Sequence, residues 1–209
     1  MSKGSNNPGV KTLLKDNISY TTNKEKANVL ATSFAAASSN QNYSDTFLRR
    51  KIVFEEKNKT DYMDTANDVD KEQNPLNRVI TMQELKQALL ECKSKSCPGH
   101  DNISYDMIKQ LPDTCLEVVL KLYNNIFKTG KIPKDWKHAL IFPLAKPNKD
   151  ASDPSSYRPI SLTSCLCKLM EKVINKRLTW YLENNKLFNN SQAGFRRGRS
   201  TLEQIMKLR

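Results

Sequence analysis

Apolar residues fall along this chain in helical stripes, one short unbroken run, and long gaps. Residues 1–22 are polar, carry Gly4, Pro8 and Gly9 and show no apolar period, which predicts a flexible lead. From Asn23 to about Ser38 the positions Ala27, Leu30, Ala31 and Phe34 stand at i, i+3, i+4 and i+7, the spacing of one helix face. Residues 39–75 then pass through Ser, Asn and Gln into an acidic stretch, Glu55, Glu56, Asp61, Asp64, Asp68, Asp70 and Glu72. Large apolar groups are few there, so a linker or surface loop is expected.

Folding signals sharpen after Pro75. Thr81 and Glu84 stand three apart as a capping box, and Leu85, Ala88, Leu89 and Cys92 follow at helical spacing until Cys97-Pro98-Gly99 stops the helix. A longer helix is expected from near Pro112 to just before Gly130, with Leu116, Val119, Leu120, Tyr123 and Phe127 as its core stripe. Ala139–Leu144 is too short for a helix and suits a buried strand, and Arg158–Thr163 would return beside it as a hairpin around Ala145–Tyr157. Leu166, Leu169, Met170, Val173, Ile174, Arg177, Leu178, Tyr181 and Leu182 predict a long amphipathic helix. Ser200 and Glu203 cap another, cut off after Arg209 with Leu202, Ile205 and Met206 short of partners. The expected organisation is a lead, one helix and an acidic linker over 1–75, then a compact, mostly helical unit over 76–209. The class is α+β, predominantly helical.

Charge changes this picture. Of the net +12 carried by 209 residues, residues 131–209 hold sixteen Lys or Arg against six Asp or Glu, and residues 1–130 hold eighteen against sixteen. A basic excess confined to one part of the chain implies a polyanionic partner, because Lys and Arg neutralise phosphates and release condensed counterions. An apolar fraction of 38% with 27% charge fits a folded globular chain, and no apolar stretch approaches the roughly twenty residues of a membrane span. The five cysteines, an odd number with no signal peptide before them, fit a reduced, intracellular chain in nucleus or cytoplasm. Neither Cys92, Cys97 and His100 nor Cys165, Cys167 and His138 has paired zinc-ligand spacing, so no metal is expected on this chain alone.

Three basic sites sit where the chain turns. Lys146 follows the apolar run, Arg158 opens the next strand, and Arg196, Arg197 and Arg199 surround Gly194 and Gly198. A hairpin with Lys on one arm and Arg on the other can place two cations close together, a suitable clamp for a triphosphate.

These residues carry a resemblance. Ala139-Leu140-Ile141-Phe142-Pro143-Leu144-Ala145-Lys146-Pro147, then Pro154-Ser155-Ser156-Tyr157-Arg158-Pro159-Ile160-Ser161-Leu162, then Lys168-Leu169-Met170-Glu171-Lys172-Val173-Ile174 resembles the first fingers blocks of non-LTR (LINE-type, jockey-like) retrotransposon reverse transcriptases. Gln192-Ala193-Gly194-Phe195-Arg196-Arg197-Gly198-Arg199-Ser200-Thr201 is similar to the block just before the palm. Upstream, Pro98-Gly99-His100-Asp101-Asn102-Ile103 resembles the Pro-Gly-x-Asp-Gly-Ile signature of these enzymes, with Asn102 where Gly is usual. Asn is the residue after Gly most willing to take a left-handed backbone.

The resemblance implies the fingers of a right-hand RNA-directed DNA polymerase, with RNA template, DNA primer and dNTP as partners and no membrane. Lys146 and Arg158 would contact the dNTP, and Gln192, Gly194, Phe195, Arg196 and Arg199 the template. In a full-length element an endonuclease would precede this segment, a palm would follow it, and Mg²⁺ would serve the whole enzyme. The catalytic aspartates of the palm are expected beyond Arg209. No Asp-Asp pair occurs in the chain, and Asp68-Val69-Asp70 sits in the acidic stretch before the fingers blocks. The chain alone is therefore expected to be inactive. Two other readings stand beside this one, a non-catalytic nucleic-acid-binding remnant and a decayed retrotransposon reading frame without function.

Overall fold

The computed structural model describes residues 9–64, 75–189 and 191–206. Its backbone is mainly helical with two small antiparallel sheets, in keeping with the α+β expectation. The chain forms two compact units that interleave in sequence: residues 1–68 with 137–163, and residues 69–136 with 164–209. This differs from the expected division near residue 75, and Asp68-Val69-Asp70 lies outside the described residues.

In the first unit the lead is not structureless. β1 (Leu13–Lys15) and β2 (Ile18–Tyr20) pair Leu13 with Tyr20 and Lys15 with Ile18. The two residues between them, Asp16 and Asn17, have φ of 53° and 61°. Positive φ at both central positions suits a type I′ hairpin turn, which Asn and Asp tolerate. Helix α1 (Asn23–Ala37) starts on a capping box in which Thr22 and Glu25 exchange bonds, and it buries Val29 and Leu30 rather than Ala27 and Ala31. The region expected as a linker carries α2 (Asp45–Asp64). Its residues Phe47, Ile52, Val53 and Phe54 are exposed, so no inward stripe marked the helix in the sequence.

The rest of this unit is the expected hairpin, β3 (Leu140–Ala145) with β4 (Tyr157–Leu162), in the register Leu140↔Leu162 through Ala145↔Tyr157. The expectation of a buried strand fails: Leu140, Ile141, Phe142 and Leu144 are all exposed, because this sheet has two strands among the described residues and, of its described residues, Tyr157 alone joins the small core. That core joins Tyr157 to Leu13, Val29 and Leu30. The amide of Leu14 donates to the Ser152 carbonyl at 2.8 Å, and the Tyr157 hydroxyl to that of Ala151 at 2.8 Å. These contacts group the ribbon with the amino-terminal hairpin.

The second unit contains α3 (Met82–Leu90), α4 (Tyr105–Lys109), α5 (Asp113–Thr129), α6 (Cys165–Asn184) and α7 (Thr201–Met206). The Thr81–Glu84 capping box is present, and the helix ends at Leu90, earlier than Cys97. Pro112 precedes α5 and Gly130 closes it with φ 67°, as the spacing predicted. The short α4, capped by Ser104, was not expected. Asn102 has φ 55°, the left-handed backbone inferred from its place in a glycine position. The reciprocal cap expected of Ser200 and Glu203 involves a side chain outside the described ones.

One core unites α3, α4, α5 and α6, with Leu85, Ile108, Tyr123, Leu169 and Val173 almost fully enclosed. Burying a Leu, Ile or Val of this kind contributes about 1.5–3 kcal/mol. Polar ties fix the register. Tyr123 donates its hydroxyl to the Leu166 carbonyl at 2.7 Å, and burial pushes this phenol above its ordinary pKa. Asn124 exchanges two bonds with the backbone of Ile80, at 2.6 and 2.9 Å. Arg177 grips both oxygens of Glu84, at 2.6 and 2.7 Å, and donates to the carbonyls of Arg78 and Val79. The Arg177 hydrogen bonds, outweighing burial, hold the Glu84 carboxyl down to about 2.

Candidate functional site

The ribbon places the first pair of predicted residues. Arg158 stands opposite Leu144, and Lys146 follows Leu144 by two, so both cations project from the same side of the ladder as diagonal neighbours. Such diagonal positions lie about 7–8 Å apart, within reach of one polyphosphate for two long side chains. Lys146 is set by its amide, which donates to the Ser156 carbonyl at 2.8 Å, and its ammonium donates to the Ser155 carbonyl at 2.7 Å. Arg158 is exposed, and its guanidinium makes no hydrogen bond or ion pair among the described residues. The same side carries exposed Leu140, Phe142, Leu144 and Ile160, so the face runs from apolar to cationic toward the turn.

The turn itself is built by short polar side chains. Asn148 takes φ 59°, Asp150 accepts from the amide and hydroxyl of Ser152, and Asp153 accepts from the hydroxyl and amide of Ser155. Those bonds hold both carboxyls below the usual range, Asp153 helped by the Lys146 charge. They rigidify the loop without taking the Arg158 side chain.

The second group sits in the other unit, in the loop between α6 and α7. Phe195 is wholly exposed with φ 61°, and Gly198 has φ 74° with nothing within 4 Å of the space a Cβ would take. Gly194 likewise faces open space, leaving room for close approach by a ligand. Gln192 is exposed, and its carbonyl accepts from Arg196 at 3.2 Å. A cleft of about 590 Å³ is lined by Ser191, Gly194, Phe195, Arg199, Gln204 and Ile205, and the Gln204 amide nitrogen is buried there without a partner.

Arg196 differs from the others. Its guanidinium forks onto Glu183 at 2.9 and 2.7 Å and lies 4.8 Å over the Phe188 ring. The side chain is only 10% exposed, and the bond from Arg196 holds the Glu183 carboxyl below its ordinary value. Sequence reasoning missed Glu183 and Phe188. The available signal was charge, since Glu183 is the single acid from Lys176 through Leu202, a stretch with six Lys and Arg.

Among the described residues no three His, Cys, Asp or Glu side chains converge as metal ligands, and none of the five cysteines is bonded to another. Cys92, Cys165 and Cys167 are buried, and burial raises the Cys167 thiol to about 11, so it behaves as an apolar group. No described helix is long and apolar enough to cross a membrane.

Residues 144–209 match the reverse transcriptase (RNA-dependent DNA polymerase) family. The proteins this chain is similar to are polymerases named from transposons and mobile elements. It is 38% identical over 129 residues to the probable RNA-directed DNA polymerase from transposon BS of Drosophila melanogaster, covering 62% of this chain and 14% of that protein. It is 34% identical over 129 residues to the RNA-directed DNA polymerase from mobile element jockey of Drosophila melanogaster, with 62% and 14% covered. To the probable RNA-directed DNA polymerase from transposon X-element of the same species it is 30% identical over 149 residues, with 67% and 16% covered. The matched region therefore spans 14 to 16% of the length of these relatives.

Proposed function

We propose that this chain is the nucleotide- and template-gripping fingers portion of a non-LTR retrotransposon reverse transcriptase, working within a right-hand polymerase. The observation that carries the reading is the placement of Lys146 and Arg158 on one side of one ribbon, next to apolar side chains. A dNTP has matching halves, an apolar base and sugar beside a polyanionic tail. Cations at fixed spacing offset the charge on a transferring phosphate, and a ribbon braced by Asp150 and Asp153 holds them with little reorganisation.

Gln192, Gly194, Phe195 and Arg199 take the template in this reading, Phe195 by stacking on a base and Arg199 by its charge. Arg196, engaged by Glu183, serves the loop rather than the template. RNA template and DNA primer are the partners. The endonuclease before it and the palm after it in a complete element belong to the same proposal.

Phosphoryl transfer in such enzymes draws on divalent metal clamped by several carboxylates. The described carboxylates do not converge, so they do not fit that ion and no chemical step is assigned to this chain. Primer extension tests the reading in two parts. The 209-residue chain alone should extend no primer with Mg²⁺ or Mn²⁺, and steady incorporation would overturn the proposal. In a longer reverse transcriptase chain with palm carboxylates, Lys146→Ala and Arg158→Ala should each raise the dNTP concentration for half-maximal rate, at about 1.5–3 kcal/mol per lost charged contact. Activity indifferent to both would remove the triphosphate clamp and leave the family assignment standing.

A further inference from the structure

The loop from Ser191 to Ser200 displays an aromatic ring against local preference. Phe195 lies wholly in solvent on a left-handed backbone, which a bulky residue avoids unless its surroundings hold it there. The adjacent residue supplies the hold. The Arg196 guanidinium takes both Glu183 oxygens, reaches the carbonyls of Asn189 and Gln192 at 3.4 and 3.2 Å, and rests on the Phe188 ring. These contacts tie the loop to the end of α6. At 10% exposure the Arg196 side chain is held mainly by protein groups, at the edge of the cleft that Phe195 and Arg199 line.

We propose that Glu183 and Phe188 are positioning residues which, through Arg196, clasp the loop so that Phe195 and Arg199 meet the bases and phosphates of single-stranded template. This rests on the template-facing reading of the loop. It makes a prediction opposite in sign to plain electrostatics. Glu183 is a lone acid among cations, so its removal should tighten binding of any polyanion if only charge mattered. If it positions the loop, its removal weakens binding.

The test uses the full 209-residue chain and a labelled single-stranded RNA containing 2-aminopurine, read by anisotropy and by quenching of the stacked base. In the unaltered protein Phe195→Ala should weaken binding roughly five- to a hundredfold, the range for one base stacked on an aromatic ring. Glu183→Gln should weaken binding and reduce quenching, and adding Phe195→Ala to it should cost nothing further. Arg196→Lys keeps the charge but not the two-pronged grip, so it should behave like Glu183→Gln, whereas a simple phosphate contact would largely survive the change. Thermal unfolding of each variant confirms that it is folded, and either variant suffices if the other is not. Tighter binding by Glu183→Gln, or a Phe195→Ala effect of unchanged size in both backgrounds, overturns the clasp and leaves the template reading intact. No effect of Phe195→Ala or Arg199→Ala in the unaltered protein overturns both.

Discussion

The helical unit and the ribbon of the other unit use similar apolar side chains to opposite ends. In α3, α5 and α6 the apolar residues recur every three or four positions and converge, so that Leu85, Tyr123 and Leu169 lose all contact with solvent. In β3 the run Leu140-Ile141-Phe142-Pro143-Leu144 alternates between two sides of a two-stranded ribbon, and its large side chains stay about half exposed. Hydrophobicity drives burial only where a second layer exists to receive it. The ribbon keeps its apolar side chains exposed on the same side as Lys146 and Arg158.

The sharpest way to break this comparison is to remove one leucine from each region. Leu169→Ala should cost about 2–5 kcal/mol in denaturant unfolding, whereas Leu144→Ala should stay within about 0.5 kcal/mol. Equal losses would mean that the ribbon face is covered in the folded protein. A smaller effect is expected at the polar tie of the helical unit. Arg177→Ala strips Glu84 of its two bonds from the guanidinium, leaving those from Thr81, and should cost about 2 kcal/mol. Because the folded Glu84 carboxyl is held down to about 2 from its usual 4.5, its contribution is complete above pH 4.5 and fades as pH falls toward 2. The unaltered protein should therefore lose more stability than Arg177→Ala across that interval, and parallel acid titrations would show that the pair does not couple to folding. The least effect belongs to a single backbone torsion. Asn102→Gly should stabilise by no more than about 1 kcal/mol and Asn102→Ala should destabilise by about 1 kcal/mol, the scale of the left-handed preference. An alanine that is tolerated freely would place the turn in another conformation.

Local signals were legible wherever the chemistry that set them was local. The Thr81–Glu84 box, the Pro112 start and the Gly130 stop each act within one helical turn, and each appears where its residues predicted. The hairpin at Leu13–Tyr20 was equally local and went unread, although Asp16-Asn17 between Lys15 and Ile18 suits a tight turn. Helix α2 escaped for a different reason, since none of its described side chains is buried and a helix without a buried face leaves no stripe. The family blocks located Lys146, Arg158 and the arginine loop, but motif spacing could not say that Arg196 would be taken by Glu183.

By itself, then, the sequence determined where helices begin and end, where the chain reverses, and where positive charge gathers, because backbone torsions, caps and composition depend on neighbours a few residues away. Only the tertiary structure decided which apolar residues are enclosed, that Tyr157 packs with Leu13, and that Arg177 meets Glu84 across 93 positions. Those choices depend on which surfaces of a closed chain come together, and no local period encodes the partner.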